Sequence, residues 1–273
     1  MGSSCGSEPF APAAILVYGG AMTVPEAPAG RPDPAAPATT PGLDRDFDRA
    51  APRYDLLTRM NPGYHRHLAA AARQLADRLG AGPTVLDLGC GSGSSTAALL
   101  GALPEATVIA IDASAGMLDH ARAKPWPQPV RFLHAAAEQL PDLGLPPSDG
   151  ALAAYLFRNI PAGGRDHVLR LVHEQLRPGG WLVVQEYSVA GRPLRSLVWT
   201  LVCWMVVIPL AFLLRGSPRL YTYLWRSVID FDSTERFAAR LVEAGFVDVA
   251  RADVRGWQRG ILHTFVARRP HSG

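Results

Sequence analysis

The stretch Val85-Leu86-Asp87-Leu88-Gly89-Cys90-Gly91-Ser92-Gly93 (V-L-D-L-G-C-G-S-G), with Asp112 downstream, decides the fold. Thr84 to Leu88 is a short apolar run of the kind a buried parallel strand needs, and three glycines follow it at once. Without side chains, Gly89, Gly91 and Gly93 let the backbone approach a ligand at the carboxyl end of a sheet, where α/β proteins hold nucleotide-like cofactors. A dinucleotide fingerprint would place its third glycine at position 94, which is Ser94, and Asp87 leading into the turn is foreign to that motif. NAD is therefore disfavoured. No Gly-Lys-Ser/Thr follows, which excludes a P-loop. Asp112 ends the next strand-like run, where a carboxylate can accept both hydroxyls of a ribose in charge-assisted hydrogen bonds; a plainer role is to cap a helix beginning near Ser114.

Outward from this turn, helical spacing runs from Tyr64 to Leu79, stopped by Gly80 and Gly82. Strand signals follow at Thr84–Leu88, Val108–Asp112, Val130–His134, Gly150–Leu156 and Trp181–Glu186, with helix-compatible segments between most of them. A helix over Ser233–Ala244 then leads to strand-like runs at Val247–Val254 and Ile261–Ala267, which would close the sheet as a hairpin. The pattern predicts a doubly wound, mostly parallel sheet of seven strands. Residues 1–43 read as disordered, because Pro25, Pro28, Pro32, Pro34, Pro37 and Pro41 interrupt an Ala- and Thr-rich stretch without apolar period. Residues 44–273 form the folded domain, in which 44–80 is a helical lead-in segment. Met22 is an alternative start.

The chain has 273 residues, 48% apolar and 19% charged, enough for one core with extensions. A net charge of +3 with scattered arginines leaves no nucleic-acid footprint. Cys5, Cys90 and Cys203 lack metal-ligand or paired-disulfide spacing, so no metal is expected and the cytoplasm is the expected compartment. The short apolar patch Ala11–Val17 has no basic leader and does not read as a signal peptide.

The glycine turn and Asp112 in their βαβ setting resemble the class I S-adenosylmethionine-dependent methyltransferases, whose Rossmann-like fold and cofactor are thereby expected. Three further stretches narrow the likeness. F-D-R-A-A-P-R-Y-D from Phe47 to Asp55 with G-Y-H-R at Gly63–Arg66, Y-L-F-R-N-I at Tyr155–Ile160, and L-R-P-G-G-W-L-V-V-Q-E-Y-S at Leu176–Ser188 are similar to segments of the ubiquinone/menaquinone biosynthesis C-methyltransferases. The resemblance runs from about Phe47 to about Arg269. It implies methylation of a ring carbon on a demethylated polyprenyl quinol. It also implies cofactor contacts from Tyr54, Asp87, Gly89, Gly91, Ser92, Asp112, Ala136 and Ala137, with Tyr54 and Asp55 closing over the cofactor. The sequence departs from the family at Thr58, Leu68, Ala154 and Ala136, the last standing where an acid or amide usually approaches the adenine; backbone groups of Ala136 and Ala137 would serve instead.

Arg158 ends the fourth strand facing the crevice, and the resemblance implies that it orients a water and helps activate the acceptor. A guanidinium cannot itself take the proton, so Arg158 is an anchor for phenolate charge. Glu186 and His65 are the candidate proton acceptors.

Leu197 to Leu214 carries no charge over eighteen residues, flanked by Arg192 and Arg195 before and Arg215 and Arg219 after. It lies between strands of one sheet, so a single crossing would strand the last two on the wrong side of a membrane. With Pro209 breaking a helix, residues 191–232 are expected to form an apolar lid or shallow re-entrant pair; a buried core helix is the plainer alternative. Such a lid suits a lipophilic acceptor and peripheral membrane contact. Other enzymatic readings are methylation of an aminophospholipid or a secondary metabolite; a methyltransferase-like binding protein without catalysis is the non-enzymatic one.

Overall fold

The computed structural model describes residue 61, residues 63–213 and residues 218–271. The proposed disordered segment, Tyr54, Asp55, Thr58 and Cys5 lie outside the described residues. The order of elements is α1 (Tyr64–Ala76), β1 (Thr84–Leu88), α2 (Ser94–Ala102), β2 (Thr107–Asp112), α3 (Ala115–Arg122), β3 (Arg131–His134), β4 (Ser148–Ala154), α4 (Ala162–Gln175), β5 (Leu176–Tyr187), α5 (Pro193–Val202), α6 (Ile208–Leu213), α7 (Pro218–Ile229), α8 (Thr234–Glu243), β6 (Val247–Asp253) and β7 (Leu262–Arg268). Short 3-10 turns occupy Ala137–Leu143 and Phe157–Asn159, and a π turn occupies Cys203–Val207.

The seven strands stand in the order β3-β2-β1-β4-β5-β7-β6, parallel through β5 and antiparallel at β7 and β6. Helices cover both faces, which is why the central strands are continuous apolar runs. Val85 and Val108 pack beside Ala71, Leu75 and Leu99, while their neighbours Leu86 and Ile109 pack beside Val168, Leu169 and Phe237 on the opposite face. The crevice of such a sheet lies at the carboxyl ends of β1 and β4, where the strand order reverses.

Two of the boundaries that differ from the expected ones have clear local reasons. β4 ends at Ala154, because Tyr155 turns to φ 61, a left-handed conformation that a bulky residue rarely holds. β5 begins at Leu176 instead of Trp181, since the pairing with β4 runs through an irregularity that absorbs Gly179 and Gly180.

The expected break at Pro209 does not occur. Helix continues from Pro193 to Leu213, with the π turn immediately before the proline; Ile208 N–H donates to Cys203 O, five residues back. The wider turn accommodates a ring that would otherwise strike the carbonyl a turn earlier. Nor is this a buried core helix. Among the described residues Pro193–Leu210 is the one helical stretch long and apolar enough to cross a membrane, yet only 11% of it is buried. Helix α7 lies alongside: Trp199 Nε1 donates to Trp225 O at 3.3 Å, and Trp225 Nε1 donates to Thr200 Oγ1 at 3.1 Å.

Candidate functional site

Between β1 and α2 the backbone amides of Gly89 and Cys90 both donate to Ile111 O, at 2.8 and 3.1 Å, which ties the glycine turn to the end of β2. Gly91 N–H donates to Asp112 Oδ2 at 2.7 Å, and Ser114 N–H donates to Asp112 Oδ1 at 2.8 Å. The carboxylate is thus fixed at the floor of the turn, and each oxygen keeps lone-pair capacity for a ligand hydroxyl. Ser114 also caps α3, its hydroxyl accepting from Met117 N–H.

Gly91 and Gly93 differ in what a side chain would meet. A Cβ on Gly93 (φ 91) would lie 2.8 Å from the Trp126 ring, whereas a Cβ on Gly91 (φ 53) would meet nothing within 4 Å. The space over Gly91 is part of a cavity of about 490 Å³, lined among others by Asp112, Met117, Ala137, Tyr155 and Arg158. That volume suits a nucleoside-sized ligand with a second molecule beside it.

The structure places the expected cofactor residues unequally. Gly89, Gly91, Ser92, Asp112, Ala136 and Ala137 all line the cavity. Asp87 does not: it is fully buried behind the turn, accepting from Ser95 Oγ at 2.9 Å and Thr96 Oγ1 at 2.6 Å. Burial pushes its carboxyl up to about 7, against the hydrogen bonds from Thr96 and Ser95. Its role is to anchor the start of α2. Ser92 presents its carbonyl to Lys124 Nζ at 2.7 Å.

The backbone of Ala136 is already engaged, its N–H donating to Gln139 Oε1 at 2.8 Å and its carbonyl accepting Gln139 N–H at 3.0 Å. It does not offer the amide expected to serve the adenine. Glu138, which sequence reasoning passed over, lines the same wall, and its Oε1 is buried without a hydrogen-bond partner among the described residues.

Across the crevice, the Phe157–Asn159 turn carries Arg158, which is buried against Glu186. Arg158 Nη1 donates to Glu186 Oε1 at 2.8 Å, and the N–H groups of Arg158 and Tyr187 also donate to that carboxylate, at 3.2 and 3.1 Å. Three donors therefore occupy Glu186, which is buried and does not line the cavity, so it is placed to hold Arg158 and not to receive a proton. Arg165 holds the turn from α4, donating to Phe157 O and Ile160 O at 3.2 and 3.0 Å while pairing with Asp232 at 3.1 Å. Asn159 Nδ2 donates to Tyr155 O, and Tyr223 of α7 donates to Asn159 Oδ1 at 3.3 Å. His65 is exposed, edge-on to Tyr64, and is not among the cavity-lining residues.

An aromatic stack absent from the sequence expectations runs from this wall to α5. Tyr64 stacks on Tyr155 and Tyr155 on Tyr187, each with centroids 5.3 Å apart, and Tyr187 meets Trp199 of α5 at 5.1 Å. The Arg158 guanidinium lies 5.4 Å from the Tyr155 ring centre and 5.7 Å from that of Tyr187.

Comparison with known proteins agrees with this geometry. Residues 42–266 match the model of the ubiE/COQ5 methyltransferase family. The chain is 35% identical to the ubiquinone/menaquinone biosynthesis C-methyltransferase UbiE of Syntrophotalea carbinolica, over 79% of this chain and 91% of that one. It is 34% identical to the demethylmenaquinone methyltransferase of Thermus thermophilus, over 73% and 90% of the two chains. Among solved structures, the N-methyltransferase NodS from Bradyrhizobium japonicum, in complex with S-adenosyl-L-homocysteine, superposes with a TM-score of 0.59 at 17% identity, covering 84% of this chain and 97% of the other, which speaks for the fold alone. The cradle of Gly89, Gly91 and Asp112, the reversed strand order and the family match together show that the chain belongs to the ubiE/COQ5 methyltransferase family and is an S-adenosylmethionine-dependent methyltransferase.

Proposed function

We propose that this enzyme methylates a ring carbon of a demethylated polyprenyl quinol. The observation that carries the reading is Arg158, buried against Glu186, on the wall of a cavity that also holds the glycine turn. The names of the relatives and the apolar lid support it.

When bound, S-adenosylmethionine supplies an electrophilic methyl group. Asp112 would accept the ribose hydroxyls, with Gly89, Gly91 and Ser92 shaping the cradle and Ala137 beside the adenine. Glu138 would accept from the adenine amino group in place of Ala136. Arg158, held in place by Glu186, sets a fixed positive charge where the acceptor's hydroxyl ionises by releasing its proton to solvent water, which favours the electron-rich quinolate. The guanidinium holds the charge and gives up no proton. Aromatic walls exclude water and align the acceptor ring.

The isoprenoid tail enters beneath the lid, whose outer face carries Leu194, Leu197, Leu201, Met205 and Phe212, each 48–76% exposed. This face docks peripherally on the cytoplasmic membrane, with the enzyme otherwise in the cytoplasm and exposed Arg195 near the headgroups. The test is an assay of the purified protein with methyl-labelled S-adenosylmethionine against demethylated quinols and aminophospholipids. Label in the quinol ring is the expected result; label confined to phospholipid, or transfer to none of the quinols, overturns it.

A further inference from the structure

The turn between β6 and β7 presents cations at a definite place. Leu262, the first residue of β7, pairs with Tyr187, the last of β5, so the turn lies at the carboxyl edge of the sheet, the same edge as the glycine turn. Arg259 N–H donates to Gly256 O at 3.1 Å and Ile261 N–H donates to Gln258 O at 2.9 Å, which closes it. Gln258 points inward and is fully buried, its Nε2 donating to Tyr187 Oη at 2.8 Å. Arg255, Trp257 and Arg259 are left exposed, the indole by 40%.

Three further arginines converge on this turn. A Cβ on Gly260 would lie 3.3 Å from Arg195 Nε and 3.4 Å from Arg192 Nη1, and one on Gly256 would lie 3.8 Å from Arg66 Nη2. Two guanidinium groups thus pack against Gly260, where like charges repel unless an anion is near. Two acids border the patch and both are engaged: Asp253 holds His263 at 2.7 Å, and Glu235 lies 3.0 Å from Arg251 and 3.9 Å from Arg192. The patch therefore concentrates positive charge in a chain whose net charge is only +3.

Arg195 is also where this charge meets the apolar face. It adjoins Leu194, and Leu197, Leu201 and Met205 continue the exposed stripe along the helix. A nucleic acid would match the arginines but not the stripe. A bilayer with anionic headgroups matches both, and an indole between two arginines suits the layer between headgroups and acyl chains.

We propose that the β6–β7 turn, with Arg66, Arg192 and Arg195, is a docking surface for an anionic phospholipid bilayer. The arginines meet the lipid phosphates, Trp257 enters the headgroup layer, and the crevice edge of the sheet faces the membrane. The proposal rests on the reading of the apolar helix as a peripheral membrane contact, to which it adds a lipid class and an orientation.

The test is sedimentation of the full chain with vesicles of phosphatidylcholine alone and of phosphatidylcholine mixed with phosphatidylglycerol. Arg255→Gln with Arg259→Gln is expected to lower the partition onto mixed vesicles roughly 25-fold, about fivefold for each arginine lost. Partition onto phosphatidylcholine, Tm and the Kd for S-adenosylhomocysteine stay as in the wild type. The corresponding double lysine variant keeps its partition, high salt erases the difference, and Trp257→Phe loses part of the fluorescence quenching by brominated lipid. Wild-type partition of the glutamine variant overturns the proposal, as does an equal loss on both kinds of vesicle. Saturable binding of inorganic phosphate that the glutamine variant loses, with vesicle binding unchanged, overturns it in favour of a free anion.

Leu194→Glu with Met205→Glu separates the two readings. Loss of binding in that variant alone overturns the arginine surface and leaves the helix contact. Loss in the arginine variant alone overturns the helix contact and leaves the arginine surface.

Discussion

Arg158 Nη1 and Glu186 Oε1 meet at 2.8 Å in a pair whose side chains are 7% and 0% exposed. A buried pair of this kind is costly to break from either side, because the remaining charge is left uncompensated. Arg158→Ala is therefore expected to lose both turnover and about 3–5 kcal/mol of stability. Arg158→Met combined with Glu186→Gln should recover most of that stability in urea unfolding while turnover stays lost. Recovered turnover in the double variant would remove Arg158 from the mechanism.

Asp112 fixes Gly91 N–H and Ser114 N–H with its two oxygens. Asp112→Ala is expected to weaken S-adenosylhomocysteine binding by roughly 10- to 100-fold in calorimetry, in line with the loss of charge-assisted hydrogen bonds. Glu138→Gln should weaken it less, and should erase the preference for the adenosyl ligand over its inosine counterpart, which lacks the amino group.

Two glycines of one turn are expected to fail in different ways. Gly93→Ala meets the Trp126 ring and should lower Tm. Gly91→Ala faces open cavity, so its effect on folding is confined to the left-handed conformation, about 1–2 kcal/mol, and it should act mainly on cofactor affinity.

For Asp87 the pH dependence has a definite sign. Its carboxyl titrates near 3.8 when unfolded and is pushed up to about 7 when folded. Between those values the folded protein retains a proton that the unfolded chain has released, so this group's contribution falls as pH rises through the window. Urea unfolding of Asp87→Asn between about pH 4 and about pH 7 should lack that slope, at most about 1.4 kcal/mol per pH unit.

Leu194 and Met205 are 76% and 72% exposed on the apolar helix that starts at Pro193. Their joint replacement by glutamate is expected to reduce sedimentation with phosphatidylglycerol vesicles by roughly tenfold, with Tm and S-adenosylhomocysteine affinity unchanged. Undiminished binding would place the membrane contact elsewhere.

The sheet, the glycine turn and Asp112 were legible in the sequence because each depends on a short local pattern: apolar runs, glycines after a strand, a carboxylate at the next strand's end. What depends on side chains arriving from several elements was not. Asp87 reads as a ligand residue until Ser95 and Thr96 are seen to occupy it, and Glu186 reads as a base until three donors are seen on its carboxylate. The stack of Tyr64, Tyr155, Tyr187 and Trp199 joins residues from four separate segments, and no spacing along the chain signals it. Pro209 was misread because a proline marks a disturbance of the helix, while the neighbouring π turn decides whether the chain bends or passes through.

The strand order β5-β7-β6 also has a bearing on synthesis. The partner that covers β5 is the last strand to leave the ribosome, so the nascent chain carries an open sheet edge from the moment Tyr187 emerges until Leu262–Arg268 follows. During that interval the most apolar stretch of the protein is already outside, without its final neighbours. Translation that stops or stalls before Leu262–Arg268 would therefore leave an aggregation-prone intermediate instead of a shortened enzyme.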